Sequence, residues 1–341
     1  MASRRVPFVL TAGLGALLLI GSVAAPASAL PDGVQRIGGA DRFEVSAAIS
    51  ADTYPGPAAV PIAYVVSGES FPDALSASAL AGLQGGPVLL TRKEALPDSI
   101  RTELSRIDPV KIVVLGGVNA ISESVVAELR RFSPTVTRIG GADRFEVSAA
   151  ASRAVFAPGT PVPTVPRLYI ASGENYPDAL SGSAAAAFKG GPVLLVTKTG
   201  IPAAVKTELL RIRPSEIIVL GGIHAIDPVV FDELKRDVQA ATYRITGADR
   251  FTVSADTAEA FPTGTTKTVY VASGENYPDA LSGGVAAARS LGPLLLVRSD
   301  SIPDDIKAQL RRLQPTKIVI LGGTSAVATS VETELRGFLA P

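Results

Sequence analysis

One ten-residue segment occurs three times along the chain, and this repetition constrains the fold more than any other feature. The copies begin at Ser67, Ser172 and Ser273, and each reads Ser-Gly-Glu-x-(Phe/Tyr)-Pro-Asp-Ala-Leu-Ser. An Arg-Ile segment precedes each copy and a Leu-Gly-Gly segment follows it. A period of roughly 100 residues is too long for a solenoid and suits a small domain. We therefore expect three copies of one folding unit, which must perform their function three times.

The first 29 residues have the pattern of a secretory signal peptide. Arg4 and Arg5 give a positive start, an uncharged apolar run follows over residues 8–24, and Ala-Ser-Ala at 27–29 offers a cleavage site. An uncleaved anchor helix is the alternative, but no polar flank follows the apolar run. We expect cleavage, secretion, and no stable membrane span in the mature chain.

The composition argues against several functions. The chain has 32 basic and 32 acidic residues, and cleavage would remove two arginines and leave a formal charge of −2. Such a chain is a poor general partner for nucleic acid. There is no cysteine for thiol chemistry, and one histidine, His224, cannot supply three Ser-His-Asp sets. The sequence predicts no cofactor, no metal site and no nucleic-acid partner.

Within each copy, apolar runs such as 63–66 and 112–115 alternate with segments of helical pattern. These runs are continuously apolar, which is typical of strands covered on both faces. The pattern predicts an α/β fold of Rossmann-like or toprim-like modules with largely parallel sheets. The expected organisation is a signal peptide at 1–29 and repeats at 30–133, 134–241 and 242–341. Because the connections are short, the modules should pack side by side.

Polar turns containing glycine follow three strands of each module, at the sheet edge where open α/β folds bind ligands. Asp41, Asp143 and Asp249 are predicted to cap helices, with Glu44 completing a capping box in the first copy. His224 aligns with Asn119 and Ser325 and is interpreted as a variable polar loop residue.

Repeated arginines flank the same turns and are harder to explain as helix formers. Arg42 and its counterparts begin a helix, where positive charge opposes the helix dipole. Arg36 and its counterparts stand just before the turn. For both sets we expect a partner, either an anionic ligand or a carboxylate of a neighbouring module.

Each repeat offers one arginine, serine, glutamate and aspartate as candidate ligand-binding residues. The full set is Arg42, Ser67, Glu69, Asp73, Arg144, Ser172, Glu174, Asp178, Arg250, Ser273, Glu275 and Asp279. A Glu/Asp pair four residues apart also resembles an acid/base or metal arrangement, which spacing alone does not establish. The aspartates have a simpler interpretation as first-turn helix residues, where negative charge is favourable.

Four ordered motifs together resemble the cell wall-binding repeat type 2 family. In the first copy they are the octapeptide at 36–43, the decapeptide at 67–76, Gly-Pro-Val-Leu-Leu at 86–90 and Ile-Val-Val-Leu-Gly-Gly at 112–117. All three copies match, and the third departs at Thr246 and Thr252. The resemblance implies a pseudo-threefold trimer of Rossmann-like modules on a Gram-positive surface. It also implies non-covalent binding of an anionic wall polysaccharide or teichoic-type polymer, with other surface proteins as further candidate partners.

Members of that family usually carry another domain beside the repeats, whereas here we expect the anchor alone. Two alternatives remain open. One is a secreted wall hydrolase, or its modifier subunit, that uses Glu69 and its counterparts. The other is a structural surface-layer protein that assembles without polysaccharide.

Overall fold

The computed structural model describes residues 33–56, 59–70, 72–157, 165–175, 177–276 and 278–341. The predicted signal peptide at 1–29 lies outside the described residues. Within the described ranges, none of the helices combines the length and the apolar character that crossing a membrane requires.

The described residues form strands and helices in regular alternation. The strands are β1 (Gly33–Ile37), β2 (Ala63–Ser67), β3 (Val88–Thr91), β4 (Lys111–Leu115), β5 (Thr135–Ile139), β6 (Arg167–Ser172), β7 (Val193–Val196), β8 (Glu216–Leu220), β9 (Ala241–Ile245), β10 (Thr268–Ser273), β11 (Leu294–Val297) and β12 (Lys317–Leu321). Central strands such as β2 are buried along their whole length, as their continuous apolar sequence predicts.

Each helix connects two of these strands or follows the last one. The helices are α1 (Arg42–Thr53), α2 (Pro72–Gln84), α3 (Asp98–Ile107), α4 (Glu123–Leu129), α5 (Arg144–Val155), α6 (Pro177–Phe188), α7 (Ala203–Ile212), α8 (Pro228–Val238), α9 (Arg250–Thr257), α10 (Pro278–Arg289), α11 (Asp304–Leu313) and α12 (Thr329–Leu335). Two short 3-10 helices, Ala258–Ala260 and Arg336–Phe338, follow α9 and α12.

Within the described ranges, three separate four-stranded parallel sheets form the framework. Their strand orders are β3-β2-β4-β5, β7-β6-β8-β9 and β1-β12-β10-β11. Every pairing within them is parallel. The predicted α/β class with three modules is confirmed.

The fourth strand of every sheet comes from a different repeat. β5 opens the second repeat but pairs with β4 of the first, and β9 opens the third but pairs with β8 of the second. β1 pairs with β12, so that Gly33 lies opposite Lys317 and Ile37 opposite Leu321. The two ends of the described chain therefore meet in one sheet and close the three repeats into a ring.

A second set of contacts joins the repeats through their central helices. α2, α6 and α10, one from each repeat, pack on one another. A Cβ atom added at Gly82 would lie 3.1 Å from the Cβ atoms of both Ala187 and Ala288, which occupy the equivalent positions. Only very small side chains allow three helices to approach this closely, so the Ala- and Gly-rich sequence of these helices reflects the pseudo-threefold packing.

Candidate functional site

The repeated motifs of neighbouring repeats meet in clefts at the carboxyl ends of the strands. One cleft, of about 290 Å³, is lined by Asp73 and Asn119 of the first repeat and by Asp143 and Arg144 of the second. A second cleft, of about 320 Å³, uses the equivalent residues of the second and third repeats. The candidate site is therefore shared between repeats and does not lie inside one of them.

An aspartate stands in the first turn of the central helix of each repeat, and Asp73 and Asp178 line the two clefts. Asp73 begins α2 and is 8% exposed, and Asp279 begins α10 and is 9% exposed. Burial raises the pKa of each of these carboxyl groups to about 6, although an arginine of another repeat opposes the shift. Burial also raises the pKa of Asp178. These aspartates occupy the predicted first helical turn, yet their burial carries an electrostatic cost that a surface position would avoid.

The opposing arginine always comes from the repeat that follows in the ring. Arg144 faces Asp73, Arg250 faces Asp178, and Arg42 of the first repeat faces Asp279 of the third. The third pairing completes the ring, although its two residues are distant in sequence. These arginines thus have an aspartate of a neighbouring repeat nearby, and Arg144 and Arg250 also line the two clefts, where a ligand could reach them.

The same arginines also fix the Ser-Gly-Glu turn of their own repeat. The Nη1 atom of Arg42 donates to the carbonyl oxygen of Gly68 at 2.5 Å. Arg250 donates in the same way to Gly274 at 2.6 Å, and Arg144 to Gly173. Each guanidinium is therefore held in place before any ligand arrives.

A glycine of the Leu-Gly-Gly turn makes room for each buried carboxylate. Gly116 has φ of +120°, and a Cβ atom there would lie 2.6 Å from Oδ2 of Asp73. Gly221 and Gly322 have positive φ and equally close approaches to their own aspartates. Glycine is required here for two reasons, the left-handed backbone and the missing side-chain volume.

The predicted serines and glutamates shape the turns beside the clefts. Ser67 is 1% exposed, and its Oγ accepts the backbone N–H groups of Glu69 and Ser70 at 3.2 Å. Ser172 and Ser273 do the same in their repeats. These hydroxyl groups thus stabilise the turn from below.

The glutamates lie on the exposed side of the same turns. Oε2 of Glu69 accepts the backbone N–H of Lys93 at 3.1 Å, and Glu275 accepts that of Ser299 at 3.1 Å. Glu174 bonds Lys198 at 3.3 Å. Each glutamate therefore ties its turn to the loop after the next strand and does not appear among the residues that line the two clefts.

The second arginine set joins the repeats through carbonyl oxygens. Arg36 Nη1 donates to Gly322 at 3.0 Å, and its Nη2 forms an ion pair with Glu332 at 3.0 Å. Arg138 and Arg244 donate to the equivalent Leu-Gly-Gly carbonyl oxygens at 2.8 and 2.9 Å. For these residues the structure favours the inter-module alternative.

The predicted helix caps are confirmed with one change. Oδ1 of Asp41 accepts the N–H groups of Phe43 and Glu44, both at 2.9 Å, and Asp143 and Asp249 cap their helices alike. Glu44 bonds the N–H of Ala40 rather than that of the cap residue, because the chain turns sharply before the helix. In the third copy Thr252 instead donates to Asp305 at 2.8 Å.

Two cleft residues received no functional role in the sequence analysis. His224 is exposed in its loop, as expected of a polar loop residue, but it also lines the second cleft. Asn119 occupies the equivalent place in the first cleft. Both residues lie at the same distance in sequence after the Leu-Gly-Gly turn, and this spacing could have identified them. The difference in residue type, Asn in one repeat and His in the next, made the equivalence hard to recognise. Among the described residues, no group of three or more His, Asp or Glu side chains could hold a metal ion.

The fold defines a class of protein built from three fused α/β repeats, with clefts at the junctions between repeats. A family model for cell wall binding domain 2 (CWB2) matches the chain at residues 36–126, 138–231 and 244–332. The chain belongs to this family, which confirms the resemblance seen in the motifs.

Two curated proteins of Bacillus subtilis (strain 168) are similar to the chain. N-acetylmuramoyl-L-alanine amidase LytC is 27% identical over 323 residues, covering 95% of this chain and 61% of LytC. The amidase enhancer is 26% identical over 300 residues, covering 88% of this chain and 40% of the enhancer. The chain thus spans less than two thirds of the length of either relative.

Two solved structures share the fold. Cwp6 from Clostridium difficile superimposes with a TM-score of 0.83 at 25% identity, covering 91% of this chain and 48% of that protein. Cwp8 from the same organism gives a TM-score of 0.79 at 25% identity, covering 90% of this chain and 52% of that protein. Together with the family match, these similarities indicate cell wall association through a binding domain.

Proposed function

We propose that the chain is secreted after removal of residues 1–29 and anchors itself non-covalently to the cell wall. The three inter-repeat clefts bind an anionic wall polysaccharide, such as a teichoic-type polymer, and cleave nothing. The observation that carries this proposal is a repeated cleft lined by an aspartate of one repeat and an arginine of the next.

The chemistry of a cleft suits a charged sugar polymer. The guanidinium of Arg144 supplies donors in a geometry that matches phosphate or carboxylate groups. The carboxylate of Asp73 can accept hydrogen bonds from sugar hydroxyl groups, and Asn119 offers both donors and acceptors. The cleft therefore presents partners for both the charged and the neutral parts of such a polymer.

The ring arrangement explains why one chain carries three such sites. Strand exchange and helix packing hold the repeats as one unit, so the clefts keep fixed separations. When one cleft binds a repeating polymer, the other clefts meet further segments at a high effective concentration. Individually weak contacts can then give firm retention on a wall.

The hydrogen bonds of the predicted glutamates support binding without catalysis. The glutamates that a hydrolase would need accept backbone N–H groups in neighbouring loops. The similarity to LytC is a similarity to a protein of greater length, so its amidase activity is not carried over to this chain.

The proposal is tested by retention of the mature protein on purified cell walls of the source organism. In the test variant Arg42, Arg144 and Arg250 are changed to Gln. We expect retention at moderate salt to fall by tenfold or more, because three charge-assisted contacts to one polymer are weakened together. Extraction of the accessory polymers from the walls should reduce binding of the unchanged protein in the same way.

A matched control removes three arginines far from the clefts, one from each repeat. Arg131, Arg213 and Arg311 are exposed and lie near the amino ends of strands, at the opposite side of the sheets. Their change to Gln should leave retention nearly unaffected. Equal retention of the two folded triple variants would refute the proposal, as would release of soluble glycan fragments by the unchanged protein.

A further inference from the structure

The repeats differ at the residue that follows their third strand, which is an arginine in the first and last repeats. Arg92 comes directly after β3, and its guanidinium carbon lies 4.5 Å from the centre of the Phe43 ring. Its Nη2 atom is 3.5 Å from Oδ2 of Asp41, the residue that caps α1. The guanidinium is thus held between an aromatic face and a carboxylate.

The third repeat reproduces this arrangement closely. Arg298 lies 4.6 Å from the centre of the Phe251 ring, and its Nη2 is 3.4 Å from Oδ2 of Asp249. Asp249 and its neighbour Arg250 both line the second cleft. Arg298 therefore places a second positive charge at the edge of that cleft, beside the arginine already assigned to it.

The second repeat has Thr197 at the equivalent position. Its hydroxyl group is used inside its own loop, where it donates to the carbonyl oxygen of Gly200 at 2.9 Å. Across the described ranges, no cationic side chain pairs with Asp143 or stacks on Phe145. Phe145 is accordingly only half-buried, whereas Phe43 and Phe251 are each 4% exposed.

The two arginines remain accessible to a ligand despite these contacts. The side chains of Arg92 and Arg298 are 51% and 46% exposed. Stacking on a ring fixes the guanidinium plane and leaves donors at its edge for a carboxylate or phosphate. An arginine oriented in this way loses less conformational entropy when it binds an anion.

We propose that Arg92 and Arg298 are specificity-determining residues that give two of the three junctions between repeats a second contact to an anionic group. The cleft between the first and second repeats, with Thr197 at this position, binds the same polymer with less selectivity for charge. This inference rests on the proposed function and adds to it an order of preference among the clefts.

The decisive variant is Thr197→Arg, which introduces the missing arginine above the uncovered Phe145 ring. Its matched control is Thr199→Arg, which adds the same charge at an exposed position in the same loop. A third protein, Arg92→Thr with Arg298→Thr, makes all three clefts resemble the first. Thermal unfolding of each variant establishes that it is folded.

Binding is measured on purified walls of the source organism and, separately, on inorganic polyphosphate in solution. One added ion pair at a partly exposed site should tighten the dissociation constant of Thr197→Arg by about two- to fivefold. The double variant should bind about tenfold more weakly than the unchanged protein. Thr199→Arg should differ from the unchanged protein by less than about twofold, and the gain in Thr197→Arg should shrink as salt increases.

The two probes separate this inference from the proposed function. If binding to walls and binding to polyphosphate both depend on these arginines, the proposed function and the role of the arginines are both supported. The unchanged protein could fail to bind walls while its affinity for polyphosphate still changes with the number of these arginines. In that case the role of Arg92 and Arg298 is supported and the proposal of wall anchoring is refuted. If Thr197→Arg gains no more than Thr199→Arg with either probe, the assignment is overturned, even when the protein is retained on walls.

Discussion

Replacing the buried Asp73 by Asn should make the protein more stable at neutral pH. Burial raises the pKa of this carboxyl group from 3.8 to about 6, although the nearby Arg144 opposes the shift. A shift of about two units corresponds to ~3 kcal/mol of unfolding free energy. At pH 7 the folded protein bears this cost, because it must hold a charged group where water is largely excluded.

The sign of the pH dependence follows from the direction of the shift. The folded state binds the proton more tightly than the unfolded state. Asp73 therefore makes its full contribution to the free energy of unfolding below about pH 4, where it is protonated in both states. This contribution is lost as the pH rises from about 4 through about 6, which is the reverse of a salt-bridged aspartate with a lowered pKa. Asn is neutral throughout, so Asp73→Asn should gain up to ~3 kcal/mol at pH 7 and nothing near pH 3.5.

Urea denaturation of the mature protein at several pH values between 3.5 and 7 measures this difference. Asp279→Asn should behave alike, because the pKa of Asp279 is also raised to about 6. Asp98, whose side chain is 95% exposed, provides the control, and its change to Asn should alter stability by less than about 0.5 kcal/mol. An Asp73→Asn protein that is no more stable than the parent at pH 7 would refute the reasoning. A gain in stability with weaker wall retention would show that the carboxylate is kept for binding.

Two further substitutions test the packing that builds the clefts and the ring. Gly116→Ala should destabilise the protein by about 2–4 kcal/mol in urea, because the new Cβ atom meets the carboxylate of Asp73 and the backbone has a positive φ. Gly264→Ala shares the positive φ but has nothing within 4 Å, so it should cost only about 1 kcal/mol; equal losses would argue against the carboxylate contact. Gly82→Leu should lower the melting temperature by 10 °C or more, since three helices meet there, and an unchanged melting temperature would contradict close packing at that point.

The local features of the fold could be predicted from the sequence because they depend on neighbouring residues. Asp41 caps α1, as the capping signal predicts, and Pro72 begins α2, where a proline is well tolerated. Ser122 is of a residue type that often caps helices and precedes α4, but its hydroxyl group faces Ser124 at 2.7 Å and makes no cap bond. Short-range patterns thus located element boundaries well and individual hydrogen bonds less well. The signal peptide and the exact repeat boundaries stay predictions.

The candidate site was only partly predictable, because its halves come from different repeats. The sequence placed Asp73 and Arg144 among the candidates, but nothing local indicates that one faces the other. Ser67 was also a candidate, and the structure places its hydroxyl group in a buried position where it accepts a backbone N–H of its own turn. Residues of one motif have the same neighbours in sequence. Which of their side chains line the cleft depends on how the next repeat packs against the motif.

The sequence alone determined that this protein has three equivalent α/β units with parallel strands, because hydrophobic periodicity, glycine turns and helix caps act over a few residues. The tertiary structure alone decided that β1 pairs with β12 and that each opening strand joins the sheet of another repeat. An Arg-Ile strand has the same pattern whichever neighbour it pairs with. Its partner is selected by burial of apolar surface and closure of the ring, which are properties of the whole chain.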